Sequence, residues 1–216
     1  MIKLFEQFNN EQEIIDICKE YGIEHYTINP DGSVDVMDSV RLYDLDLEKI
    51  PLKFGKISSY FDLSKNKLTS LEGFPKEVYS DIMIYKNKLT SLVGLPDIIY
   101  DIINCSDNKL TSLEGLPMEA KGLYCSNNKI TTLKGAPMVI DGDLDLRSNP
   151  ISIIDVSIEV KRDIALRGTN FDDKIKSLSQ EKLKILFEHG VDYDIFRKDG
   201  SINDSRLERL FRDFEI

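Results

Sequence analysis

NKLTSLEGFP, residues 66–75, recurs as NKLTSLVGLP at 87–96, NKLTSLEGLP at 108–117 and NKITTLKGAP at 128–137, and a worn copy, NPISIIDV, starts at Asn149. The asparagines are 21, 21, 20 and 21 residues apart. A constant period of this length marks a solenoid, in which each copy is one turn that buries its apolar face only against its neighbours.

With each asparagine as slot zero, the flanking positions follow one rule. Five and three residues before it lie Phe61 and Leu63, Ile82 and Ile84, Ile103 and Cys105, Leu123 and Cys125, Leu144 and Leu146. Two and five residues after it lie Leu68 and Leu71, Leu89 and Leu92, Leu110 and Leu113, Ile130 and Leu133, Ile151 and Ile154. The first pair reads as a short parallel strand with one face turned inward. The asparagine stands where the chain leaves that strand. The tails Gly73-Phe74-Pro75, Gly94-Leu95-Pro96, Gly115-Leu116-Pro117 and Gly135-Ala136-Pro137 read as an extended outer limb instead of a helix. Two degenerate turns extend the array, one with Leu45 and one with Thr169 in the asparagine slot, giving about seven coils.

The L-x-L-x-x-N-x-L pattern over residues 40–171 resembles the leucine-rich repeat. That resemblance implies an α/β solenoid, a right-handed coil of short parallel strands with largely extended outer limbs. It also implies a structural ladder of Asn66, Asn87, Asn108, Asn128 and Asn149, each amide bonding the backbone of its own and a neighbouring coil. With the DGSVDV stretch and IPLKFGKI before the array, the chain looks like the short leucine-rich repeat proteins of tailed bacteriophages and bacteria. Such proteins are small interaction modules, so the resemblance implies a host protein as partner and inhibition of a host enzyme or defence system as use. The ubiquitin-ligase chemistry of larger bacterial relatives needs a downstream cysteine, and none follows Cys125.

Three regions follow: 1–39, 40–171 and 172–216. The first reads as a helix from about Phe5 to Tyr21 and a hairpin around Pro30-Asp31-Gly32, and the last as a helix over Ser179–His189, a hairpin around Asp199-Gly200 and a helix over Ser205–Phe214. Both ends share a helix-hairpin plan suited to capping a solenoid, with Gly22, Asp31, Gly32 and Ser33 matched 168 residues on by Gly190, Asp199, Gly200 and Ser201. Reuse of a common turn and duplication of a unit both account for the match.

Alternation turns the residues between inward leucines outward. These are Tyr60, Asp62, Met83, Tyr85, Ile102, Asn104, Tyr124, Asp143, Asp145 and Arg147, and they form the candidate partner-binding face, since outward tyrosine and methionine are common interface anchors. Lys67, Lys88, Lys109 and Lys129 make a basic line that repeat inheritance explains. A net charge of −10 and a pI near 4.8 speak against nucleic acid. Asp141, Asp143 and Asp145 lack the glycine and glutamate a calcium loop needs at its sixth and twelfth positions. Cys105 and Cys125 share one inward slot and read as core thiols. His25 and His189 stand alone, so no catalytic set, metal or cofactor is expected. No membrane span or leader is read, and the expected location is cytoplasmic. Two functions remain: a non-enzymatic protein-binding module, or an assembly protein that forms a homo-oligomer through its ends.

Overall fold

Each repeat builds one turn of a parallel β-solenoid of about six turns. The structure, a computed structural model, describes residues 2–197 and 199–216. A front sheet of seven parallel strands runs Val40–Arg41, Phe61–Asp62, Ile82–Met83, Ile102–Asn104, Gly122–Tyr124, Leu144–Asp145 and Ile164–Ala165. Neighbours pair in register, Arg41 on Asp62 on Met83 on Asn104 on Tyr124 on Asp145 on Ala165. At the usual strand spacing the stack is about 30 Å long.

The strands are only two or three residues long because the chain turns left-handed just before each asparagine slot. Asp44, Lys65, Lys86, Asp107, Asn127, Ser148 and Gly168 all have positive φ there. Asn, Asp and Gly accept this conformation readily, whereas lysine pays for the clash of its Cβ with the following carbonyl. Replacing Lys65 by Asn or Gly is therefore expected to raise the unfolding free energy by about 0.5–1 kcal/mol, read as a higher denaturation midpoint.

The outer limb is more ordered than the sequence suggests. Val34–Val36, Phe54–Ile57 and Glu77–Val78 form a second set of parallel strands, continued by a bridge from Val78 to Ile99. Glu119–Ala120, Val139–Ile140 and Glu159–Val160 form another. The two sets lie one after the other along the stack as a flanking layer, interrupted between Ile99 and Ala120 and joined to the front sheet by a tight corner in every turn. Its inward column, Ile57, Val78, Ile99, Ala120, Ile140 and Val160, is buried. This column recurs twelve residues after the asparagine slot (eleven in the last copy), a periodicity hidden by the weak apolarity of Ala120. One coil thus fills the core with Ile82, Ile84, Leu89, Leu92 and Ile99, all buried. The 20-residue spacing is a shorter corner: two residues, Lys121 and Gly122, separate Ala120 from Leu123, where the other coils have three.

Helices lie at the ends and not in the coils: α1 (Ile2–Glu20), α2 (Asp173–Lys176), α3 (Gln180–His189) and α4 (Asp204–Asp213). After α1 the Ile23 N–H bonds back to the Cys18 carbonyl at 2.8 Å, and Ile14, Cys18 and Ile23 enter the core. Strand Tyr26–Ile28 pairs antiparallel with Val34–Val36, so this hairpin opens the flanking layer. At the other end α3, N-capped by Ser179, packs on the last flanking and front strands. The Gln180 side chain treats the free edge of the front sheet as a strand would: its Oε1 accepts from the Ile164 N–H (2.8 Å) and its Nε2 donates to the Ile164 carbonyl (3.1 Å). Such an edge otherwise exposes a template for pairing. No helix among the described residues is long and apolar enough to cross a membrane.

The two regions related by 168 residues share their turn. The Asn29 N–H bonds the Ser33 carbonyl and Gly32 bonds Asn29, as Arg197 bonds Ser201 and Gly200 bonds Arg197. Asp31 accepts from the backbone and hydroxyl of Ser33, as Asp199 does from Ser201. Beyond the turn they diverge. The second hairpin is reduced to one bridge, Phe196 to Ile202, because Asn203 N-caps α4 there and the chain turns helical. Gly22 is left-handed while Gly190 is right-handed.

Candidate functional site

The scaffold beneath the front face is held by asparagine side chains. Asn108 Nδ2 donates to the carbonyls of Cys105 (3.0 Å), in its own coil, and Ile84 (2.9 Å), in the coil before, while its Oδ1 accepts from the Leu89 N–H at 3.0 Å. Asn87, Asn128 and Asn149 repeat the arrangement. At Asn66 the oxygen accepts from both Leu45 and Leu47. Interior carbonyls at Leu63, Ile84, Cys105 and Cys125 each receive two amides, one from their own coil and one from the next, so the side chains form one continuous ladder. Thr169 bonds only the Leu166 carbonyl of its own turn.

On this scaffold the three outward columns of the front sheet come together as one face. Tyr60, Met83, Tyr85, Ile102 and Tyr124 are all half-buried, on strands stacked about 4.8 Å apart. Gly122 lies between Ile102 and Tyr124, and a Cβ there would touch both side chains at 3.4 Å, so the missing side chain leaves a shallow notch. The Arg41 guanidinium sits over the Tyr60 ring, 4.7 Å from its centroid.

The acids of the face are occupied by the fold. Asp62 accepts from the Ser64 N–H (2.9 Å) and hydroxyl (2.6 Å), and Asn104 from the Ser106 N–H (3.1 Å), turning the chain at the strand end. Asp145 does the same for Arg147 and also grips its guanidinium at 2.9 and 2.7 Å. The Asp145 side chain is thus buried, 5% of the residue being exposed, and it holds the exposed Arg147 guanidinium in one orientation. Asp143 accepts from the Tyr124 hydroxyl at 3.2 Å and from the Asp163 N–H. Burial, and then Asp143 beside it, push the Tyr124 hydroxyl above the ordinary phenol range. Asp141 is taken by Lys161 at 2.6 Å, so the three aspartates are engaged separately.

No protein-family model matches this chain, and neither does any curated protein or solved structure.

The other sequence candidates are placed as follows. Lys67 pairs with Asp46 at 2.8 Å, while Lys88, Lys109 and Lys129 are exposed. Their backbone N–H groups bond the preceding coil, a bond that Pro150 cannot make in the next turn. Cys105 and Cys125 are fully buried neighbours. Burial pushes the Cys105 thiol up to about 12 and Cys125 well above its ordinary value. Ellman's reagent at pH 8 is expected to find no reactive Cys105 or Cys125 in the native protein and all three thiols after unfolding. The folded thiols keep protons that the unfolded chain releases from about pH 9, so stability should fall as pH rises from about 9 to 12.

A second group of exposed apolar side chains has no counterpart among the residues singled out from the sequence. Tyr79, Ile98, Tyr100, Met118 and Met138 lie on the outer surface of the flanking layer in four consecutive coils, with Ile98, Met118 and Met138 60%, 62% and 58% exposed. The signal was present after each Gly-x-Pro, where these polar-or-apolar positions flank an inward column that stays apolar. It was legible only once that column was recognised as a strand.

Proposed function

We propose that this chain is a leucine-rich-repeat-type module, non-enzymatic, that binds another protein through its front face. The observation that carries the proposal is the face of Tyr60, Met83, Tyr85, Ile102 and Tyr124, which varies from coil to coil on a scaffold whose repeated residues are spent on packing and hydrogen bonds. Aromatic, Met and Arg side chains around a notch are the usual composition of interface centres. The terminal helices act as caps that cover the apolar ends of the stack. A host protein is the partner, with inhibition of a host enzyme or defence system the outcome, if the phage-type resemblance of the DGSVDV and IPLKFGKI stretches reflects origin. A reducing cytoplasm suits three free buried thiols.

The test is cross-linking and capture from the native host. Wild-type protein should retain one partner, and Tyr85→Glu and Tyr124→Glu should each weaken its binding at least about tenfold, a loss of about 1.4 kcal/mol. Retention of full affinity in both variants would refute the front face. A homo-oligomer is the second reading, favoured by the edge strand Val40–Arg41, which among the described residues pairs only with Phe61–Asp62 and lies beside exposed Tyr43 and Leu45. A monomeric mass in light scattering would remove it.

A further inference from the structure

The two sets of flanking strands do not meet. Ile99 bridges back to Val78, but no pairing joins Ile99 to Ala120 among the described residues, and this gap falls at the coil whose corner is one residue short. A groove opens there, lined by Ile98, Tyr100, Met118 and Val139 over the buried Ile99 and Ala120. Tyr79 stacks on Tyr100, rings parallel within 7° and 5.0 Å apart, which fixes one wall. On the other side Met118 and Met138 are adjacent, the Met138 N–H bonding the Met118 carbonyl at 2.8 Å. Unbranched thioether side chains adapt to an incoming apolar group. Nothing in the fold needs these side chains outside, and an apolar patch of this kind marks an interaction surface.

The rim specifies the charge of what binds. Lys121 pairs with Asp101 and Lys161 with Asp141, which neutralises those cations. Asp97 and Glu119, which line the groove, have no ion-pair partner among the described residues. The rim is therefore net negative on a chain that already carries −10. A second copy offering the same face across a two-fold axis would set these carboxylates against themselves, and like charges facing each other oppose association.

We propose that this groove is a second, independent binding surface, for a segment of a partner protein that carries bulky aliphatic side chains flanked by lysine or arginine. The aliphatic group seats against Ile98, Met118 and Val139, and the cations meet Asp97 and Glu119.

The probes are two fluorescein-labelled peptides of equal apolar content, KKLLKK and EELLEE, followed by fluorescence anisotropy. The lysine peptide should bind, and the glutamate peptide should bind at least about tenfold more weakly. Ile98→Ser and Met118→Ser keep the net charge, so a loss of about tenfold or more in each assigns binding to the groove and not to general attraction by an acidic protein. Glu119→Gln, fully on the surface, should weaken the lysine peptide and spare the glutamate peptide. Thermal melts confirm folding of all three variants. Tyr85→Glu and Tyr124→Glu should leave peptide binding unchanged, which separates this surface from the front face. Equal binding of the two peptides, or lysine-peptide binding that survives Ile98→Ser and Met118→Ser, overturns the proposal. A concentration-dependent doubling of mass abolished by Met118→Ser also overturns it, by making a second copy the occupant.

Discussion

Asn108→Ala is expected to lower the unfolding free energy by about 4 kcal/mol, measured by urea denaturation. The Asn108 side chain is buried, and its loss removes bonds to Cys105 and Ile84 and leaves the Leu89 N–H without an acceptor. A buried orphaned donor costs about 1–3 kcal/mol, and each lost hydrogen bond about 1 more. The two carbonyls are less affected than they seem, because each also receives an amide from a neighbouring coil, Asn87 for Ile84 and Asn128 for Cys105. Asn108→Asp should be at least as damaging although the shape is kept. It removes the donor, places an oxygen against two carbonyl oxygens and buries a carboxylate. A loss below about 1 kcal/mol for both variants would show that the ladder contributes little to stability.

Gly115→Ala is expected to cost about 3 kcal/mol or more, and Gly94→Ala only about 1–2 kcal/mol. The two glycines occupy the same slot and have similar backbones, with φ of +102° and +112°. Both substitutions carry the conformational penalty of a side chain at positive φ. They differ in what the new Cβ meets. At Gly115 it would lie 2.4 Å from the Leu92 carbonyl carbon and 2.5 Å from the Val93 nitrogen, main-chain atoms of the previous coil that move only if the stack opens. At Gly94 the nearest atom is Leu71 Cβ at 3.2 Å, a contact that a small adjustment relieves. Since each coil is held only by its neighbours, the damage at Gly115 should also reduce the cooperativity of unfolding. Equal losses at the two positions would mean that backbone conformation alone sets the cost and that coil spacing is elastic.

Much of this molecule was legible in the repeat. The period set a solenoid, the L-x-L positions placed the front strands, and Gly-x-Pro excluded helices from the coils. These follow from local rules, because in a stacked structure the neighbour of each residue is its own counterpart one period away. The flanking strands of the repeats escaped notice because their inward column shrinks to Ala120 and, from Glu77 onward, they are two residues long, too short to show alternation.

The candidate surfaces divide in the same way. The sequence placed Tyr60, Met83, Tyr85, Ile102 and Tyr124 on one face, since strand alternation alone does that. It could not say that Asp62, Asn104 and Asp145 cap the ends of their own strands, because whether an outward carboxylate faces solvent or curls back to a backbone N–H depends on the left-handed turn that follows. Nor could it show the groove between Tyr100 and Met118, which exists because a one-residue shortening of one corner coincides with a break in the flanking ladder. The sequence by itself determined what repeats: the turns, the core and the asparagine slots. The tertiary structure decided what does not repeat, namely which side chains the stack leaves free, because freedom at the surface is set by hydrogen bonds and gaps between coils that no single copy contains.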